Sequence, residues 1–407
     1  MSIAVLGAGA FGTALAIALA EKGPVTLWGR DPAHCAEMAD ARENIRRLPG
    51  CRFPDDLTVS PELDTVLQAN TLLLAVPMQA LATFVAAHDI SGKTVVACCK
   101  GVDVASGRSA SVILDHARDV AVLTGPSFAG DIARGLPTAL TLACAHQTMG
   151  TALQQQLSTP TLRLYRSADV IGADLGGALK NVIAIGCGAV MGAGLGTSAR
   201  AALMTRGFAE MQQVAVTMGA QPDTLMGLSG FGDLVLTCTS DQSRNYRYGA
   251  ALGAGAPFDR DITVEGAATA QAIAHLADTH ALDIPVCRAV ADLVAGRIDV
   301  QAAMARLMGA PKRRNDMFFA LMAWDKPGTL DIRLENRPDH LAYLKDSGVV
   351  RQAGPFLDAD DKPCGSLIVL EVADMAAAQA WADADPYARA DLFEAVRIAP
   401  WNRVMNT

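Results

Sequence analysis

Basic charge is scarce in this chain. Its 34 Lys and Arg are outnumbered by 42 Asp and Glu, for a net charge of −8. That balance argues against a nucleic-acid partner, because no basic face is available to displace its counterions. The deficit is uneven. From Asp316 onward nine Lys and Arg face 15 Asp and Glu, leaving about −2 for the first 315 residues. Paired cysteines are also lacking. The nine present are scattered apart from the adjacent Cys98 and Cys99, with no C-x-x-C pair and no metal-ligand spacing. They read as buried thiols of a reducing cytoplasm, and no metal is expected. The apolar start, Ile3 to Ala20, has no basic region ahead of it and is interrupted by glycines. It is therefore read as neither a signal peptide nor a membrane span. No other run reads as long enough to cross a bilayer, and no tandem repeat or low-complexity tract is present.

What is present is globular. Hydrophobic residues make up 51% and charged residues 19%, enough to bury a core. A length of 407 residues exceeds one ordinary core and implies two or three domains. Up to about residue 145, apolar strand-like runs alternate with helix-like stretches. The runs are Ile3–Leu6, Val25–Trp28, Thr71–Val76, Thr94–Ala97, Ala121–Thr124 and Ala139–Leu142. That alternation predicts βαβ units on a parallel, Rossmann-type sheet, here assigned residues 1–165. From about Leu175 to Leu307 the pattern turns to alanine-rich helical periodicity, so a mostly helical second domain is assigned 166–312. Beyond Asp316, nine of the chain's 20 aromatic residues fall in the last 92 positions. Their order of strands and helices, β-α-β-β-α-β, predicts a ferredoxin-like α+β domain over 316–405.

The opening strand runs directly into Gly7, Gly9 and Gly12, in G-x-G-x-x-G spacing, and then into an apolar helical stretch. One glycine allows the sharp turn, one lets backbone touch a pyrophosphate, and one lets helix and strand pack closely. The helix N-terminus then offers free N–H groups to the phosphates. A dinucleotide is expected. At the end of the second strand, where an acid would hold the ribose, the chain reads Gly29-Arg30-Asp31. Arg30 suits a 2′-phosphate and NADP(H), while Asp31 keeps NAD(H) open.

Two lysines stand in apolar or glycine-rich surroundings. Lys100 closes the run Val95–Gly101, at the ligand edge of the sheet, and Lys180 lies within Leu175–Ile185. Burial and a cationic neighbour bring an amine toward neutrality and fit it for proton transfer, although a lysine on such a helix can also snorkel to solvent. A third segment, Gly230 to Asn245, interrupts the helical pattern with Gly-Phe-Gly, places Asp233 next, and closes on Ser243-Arg244-Asn245. An arginine with a hydroxyl and an amide suits a phosphate, and equally a capped loop.

Taken together, residues 2–310 resemble the bacterial NAD(P)-dependent glycerol-3-phosphate dehydrogenase family. The likeness is carried by GAGAFGTALA, Cys99-Lys-Gly101, Gly125-Pro-Ser-Phe-Ala129, Ala133–Thr138, GALKNVIAIG (177–186), ARAALMTRGFAEM (199–211), GDLVLTCTS (232–240), Ser243–Asn245 and Val264-Glu-Gly266. It implies reversible reduction of dihydroxyacetone phosphate by NADPH or NADH to sn-glycerol 3-phosphate, for glycerophospholipid synthesis. The resemblance makes Lys180 the proton donor, with Lys100, Asp233 and Thr237 around the reacting oxygen. Gly125, Ser127, Ser243, Arg244 and Asn245 then hold the triose phosphate. Ala10, Phe11, Arg30, Lys100, Ala129, Arg244, Thr263 and Glu265 line the cofactor. A cytoplasmic homodimer is expected, the compartment from the unpaired cysteines and the pairing from the tail beyond Asp316. The family departs from this chain at Asp131, usually glutamate, and around Arg30. Similar folds serve hydroxyacid and ketopantoate reductases, and a dinucleotide-binding sensor shares the same opening. Gly192–Ser198 reads only as a flexible helix connection.

The tail, 317–404, resembles the YCII-related domains of dimeric α/β-barrel type, on Arg337–Leu341, Ala353-Gly-Pro355, Gly365-Ser366, Asp385-Pro-Tyr387 and Ala399-Pro-Trp401. That likeness makes His340 a candidate acid–base residue, with Asp385 or Asp358 as partner. A helix-surface histidine without chemistry is the alternative, and a role in joining two chains is another.

Overall fold

The computed structural model describes residues 2–259, 262–308 and 317–402. These divide into two compact units, Met1–Leu307 and Met308–Thr407.

The first unit is built on eight strands. They are β1 (Ile3–Leu6), β2 (Val25–Trp28), β3 (Leu57–Ser60), β4 (Thr71–Leu74), β5 (Thr94–Ala97), β6 (Asp119–Thr124), β7 (Thr138–Cys144) and β8 (Leu162–Ser167). Their order across the sheet is β3-β2-β1-β4-β5-β6-β7-β8. The chain winds outward from β1 to β3, then returns to place β4 on the other side of β1. A crevice therefore opens at the carboxyl ends of β1 and β4, where such sheets bind ligands. All neighbours are parallel except β6 and β7, which run antiparallel. After β6 the chain makes only the short helix Ala129–Ala133 before turning back, so the sheet is mixed rather than wholly parallel. The strands β3 and β8 lie at the two edges and escape the apolar-run reading. Leu162–Ser167 alternates buried and exposed side chains, as an edge strand half in water does.

The helix Val170–Gly192 is the spine of the helical part, buried from Gly172 to Val190. By length and mean hydropathy, 1.4, it would qualify as a membrane span, contrary to the sequence expectation, yet 89% of its apolar window is buried inside the protein. Its many glycines explain how a neighbour comes so close. A side-chain carbon on Gly188 would lie 2.0 Å from the Tyr246 carbonyl, and one on Gly249 would lie 1.9 Å from that of Ile185. The helix Arg244–Ala254 thus rests backbone to backbone on the spine. Just past it, Gly194 and Gly196 take positive φ and let the chain reverse into the helix Gly196–Thr217.

The second unit contains β9 (Met317–Asp325), β10 (Val350–Leu357), β11 (Pro363–Val372) and β12 (Phe393–Trp401), with helices Leu330–Asp346 and Met375–Ala384. The sheet is antiparallel in the order β10-β11-β9-β12, a ferredoxin-like arrangement. Phe319, Leu321, Ile368, Leu370 and Trp381 form its core.

Candidate active site

The glycine turn after β1 carries three different constraints. Gly7 has φ of 119°, and a side chain there would strike the Ala75 carbonyl at 2.6 Å. A side chain on Gly12 would stand 2.1 Å from the Gly7 carbonyl, so turn and helix Ala10–Ala20 can meet only if Gly12 is bare. Gly9 differs, for nothing lies within 4 Å of its missing side chain. It is exposed and begins the helix without a side-chain cap. The first N–H groups of that helix, on Ala10, Phe11 and Gly12, therefore stand without a capping acceptor, as an anion site requires. The residues present fit a dinucleotide pyrophosphate.

At the neighbouring strand ends two amines meet one carboxylate. Lys100 follows β5 and Lys180 comes from the middle of the spine. Asp233 begins the helix Asp233–Cys238 and is fully buried. Its Oδ1 accepts from Lys180 Nζ at 2.7 Å, and its Oδ2 from Lys100 Nζ at 2.7 Å. Lys180 Nζ also donates to Thr237 Oγ1 at 2.6 Å. Lys180 is only 6% exposed, so it does not snorkel. Burial, and then Lys100, push its amine down from 10.5 to about 8, against the pull of Asp233. Lys100 remains half-buried, donates to the Gly125 carbonyl at 3.3 Å, and lies 5.9 Å from the centre of the Phe11 ring. Glycine loop and lysine cluster are thereby neighbours.

Asp233 owes its place to an irregular turn. The Gly-Phe-Gly segment does not end the helical path; residues Leu228–Gly232 form a widened π-helical turn that feeds directly into Asp233–Cys238. Glycine is required because the turn is wedged against backbone. A side chain on Gly230 would sit 1.9 Å from the Leu225 carbonyl, and one on Gly176 of the spine 2.6 Å from that of Ser229. Such turns are frequent at functional sites.

The Ser243-Arg244-Asn245 group starts the helix that rests on the spine. The Ser243 hydroxyl accepts from Tyr246 N at 3.2 Å and keeps its own proton to donate. Asn245 accepts from Gly266 N at 3.0 Å and donates to Asn181 at 2.9 Å, leaving one amide hydrogen. Asn181 follows Lys180 directly, and nothing in its local sequence marks it as a partner of Asn245. Arg244 and Glu265 attract each other electrostatically. Burial lowers the affinity of Arg244 for its proton and raises that of Glu265, whose carboxylate also accepts from Met78 N at 3.3 Å. On the far side, Gly125 takes φ of 140° at the end of β6, and Ser127 donates back to its carbonyl at 3.2 Å. Ala129 opens the short helix that packs on Ala10–Ala20.

Two expected cofactor residues stand apart from this network. Arg30 and Thr263 are exposed, and neither makes a hydrogen bond or ion pair among the described residues. Asp31 is engaged elsewhere. It caps the helix Pro32–Ala41 through Ala33 N at 3.0 Å and faces Arg46 at 3.8 Å. No group of three or more His, Cys, Asp or Glu among the described residues is placed to hold a metal.

In the tail unit, His340 is buried rather than on a helix surface. Its Nδ1 lies 2.7 Å from Asp385 Oδ1, and its ring stacks on Tyr387 with centres 3.8 Å apart. Arg333 lies over the same tyrosine and makes two bonds of 2.9 Å to Asp325. Asp358 is not the partner. It sits in the exposed turn between β10 and β11, accepting from Asp360 N and Lys362 N.

Comparison with known proteins agrees with this layout. Residues 2–150 match the NAD-dependent glycerol-3-phosphate dehydrogenase N-terminus, 169–305 the C-terminus of the same family, and 317–402 the YCII-related domain. A glycerol-3-phosphate dehydrogenase of Ruegeria sp. is 57% identical over 316 residues, covering 76% of this chain and 99% of the relative. One from Paracoccus denitrificans is 56% identical over 76% of this chain and 99% of its own length. The crystal structure of glycerol-3-phosphate dehydrogenase from Coxiella burnetii superposes with a TM-score of 0.71 at 36% identity, over 75% of this chain and 98% of that one. The glycine turn, the paired lysines on one carboxylate and these likenesses converge: the chain belongs to the NAD-dependent glycerol-3-phosphate dehydrogenase family, with a YCII-related domain following it.

Proposed function

We propose that this chain catalyses the reversible reduction of dihydroxyacetone phosphate to sn-glycerol 3-phosphate with NADP(H) or NAD(H), feeding glycerophospholipid synthesis. The observation that carries the reading is the convergence of Lys100 and Lys180 on Asp233, beside the glycine turn. A nicotinamide cofactor bound at the glycine turn would supply or take up hydride. Gly7, Gly9, Ala10, Phe11 and Gly12 would hold its pyrophosphate, while Arg30, Ala129, Thr263 and Glu265 would line the remainder.

The protein's own part is charge and protons. Reduction of a carbonyl builds negative charge on its oxygen, and Lys180 donates the proton there. An amine of pKa about 8 is mostly protonated at neutral pH yet can part with the proton, a contribution worth roughly 10²–10⁴-fold. Asp233 aims both ammonium groups, Lys100 keeps a second positive charge at the developing oxyanion, and Thr237 fixes the Lys180 amine. Ser243, Arg244, Asn245, Gly125 and Ser127 anchor the phosphate, so the carbonyl is presented in one orientation. In the reverse direction the neutral Lys180 takes the hydroxyl proton.

We assign the sheet domain to 1–165, the substrate domain to 166–312 and the tail to 316–405, in a cytoplasmic homodimer. The test is direct. Purified protein is mixed with NADPH and dihydroxyacetone phosphate, and cofactor absorbance is followed. Oxidation with formation of glycerol 3-phosphate supports the proposal; cofactor binding without oxidation makes the chain a sensor instead.

A further inference from the structure

The glycine turn is held from behind by a residue far along the chain. Asn44 follows the helix Pro32–Ala41 and is completely buried. Its Nδ2 donates to the Ala8 carbonyl at 3.0 Å and to Thr13 Oγ1 at 2.8 Å. Its Oδ1 accepts from Arg47 N at 3.2 Å and from His34 Nε2 at 3.1 Å. The amide orientation is unambiguous, because the Ala8 carbonyl can only accept and the Arg47 N–H can only donate. All four hydrogen-bonding positions of one carboxamide are used.

We infer that Asn44 is a positioning residue for the dinucleotide, acting through the Ala8–Gly9 peptide. A trans peptide is planar, with its C=O and N–H pointing in opposite directions. Drawing the Ala8 oxygen toward Asn44 therefore aims the Gly9 N–H away from it. Gly9 is exposed, nothing lies within 4 Å of its missing side chain, and no backbone acceptor is bonded to its N–H among the described residues. The second bond, to Thr13, ties the same carboxamide to the first turn of the helix whose N–H groups meet the phosphates. Turn and helix are thus set relative to each other before any ligand arrives. The remaining two bonds anchor the carboxamide to segments outside the turn.

This inference rests on the dinucleotide reading. The experiment is titration of the full-length protein with NADPH, by cofactor fluorescence, for wild type, Asn44→Ala and Thr13→Val, with steady-state kinetics and thermal unfolding alongside. Asn44→Ala is expected to weaken NADPH binding roughly ten- to a hundredfold, because the Ala8 carbonyl of the turn and the Thr13 hydroxyl of the helix both lose their donor. Thr13→Val, which keeps the branched shape, loses one partner and is expected to weaken binding by a smaller factor of roughly three to ten. In both, kcat at saturating cofactor and KM for the triose phosphate stay near wild type, a split that general loosening of the fold does not produce. NADPH binding within twofold of wild type in both variants overturns the inference, as does a loss confined to kcat. Failure of wild type itself to bind NADPH overturns the dinucleotide reading and the inference with it.

Discussion

Replacing Asp233 by asparagine is expected to move the pH profile of carbonyl reduction to lower pH. Burial lowers the proton affinity of Lys180 and Lys100 adds to that, while Asp233 and, least of all, Cys238 raise it. With a pKa of about 8, the ammonium that donates the proton is about 90% populated at pH 7 and about 10% at pH 9, so reduction falls as pH rises through 8. A nearby opposite charge is ordinarily worth roughly 1–3 units. Without it, only the small effect of Cys238 opposes burial and Lys100, and the midpoint falls to about 5–7. The protonated fraction at pH 7 then lies between about a half and a hundredth, and activity recovers partly on acidification. The sign reverses for glycerol 3-phosphate oxidation, which needs the neutral amine and rises with pH. The assay is initial rate at saturating cofactor and substrate from pH 5.5 to about 9.5, in both directions. An unmoved limb in the folded variant, or one shifted upward, would refute the electrostatic account.

Other substitutions separate the parts of the site. Lys180→Met should lose roughly 10²–10⁴-fold in turnover while still binding NADPH, as shown by fluorescence titration. Gly9→Ala should melt near wild type, since its side chain enters open space, yet bind cofactor more weakly. Gly12→Ala should lower both the melting temperature and cofactor binding, because its methyl would stand 2.1 Å from the Gly7 carbonyl. Cutting the chain near Arg314 should leave reductase activity, since every assigned catalytic and cofactor residue precedes that point; inactivity in a folded truncation would show that the tail supports the site.

The parts of this molecule that were readable in sequence are those whose causes are local. Gly7, Gly9 and Gly12 are spaced by the geometry of one turn, and Lys180 stands out because a charge inside an apolar helix needs a partner. The identity of that partner is another matter. Asp233 lies 53 positions away and is delivered by a π-helical turn that looked like a break. Asn44 gives no local signal at all, since its donors and acceptors come from the turn, two helices and its own loop. The edge strand β8 does not read as an apolar run because half its side chains are exposed, and β3 because it is only four residues long with two of them hydroxyl side chains. In the tail, spacing could not choose between Asp358 and Asp385 for His340, and the fold decides for Asp385 by bringing it within 2.7 Å.

The central claim is that Lys180, held by Asp233 beside Lys100, completes a ketone reduction. It is tested most directly by mixing NADPH-loaded wild-type protein and NADPH-loaded Lys180→Met with dihydroxyacetone phosphate in a single turnover. The account predicts rapid consumption of reduced cofactor by wild type and almost none by the variant. Equal rates in the two proteins would contradict it.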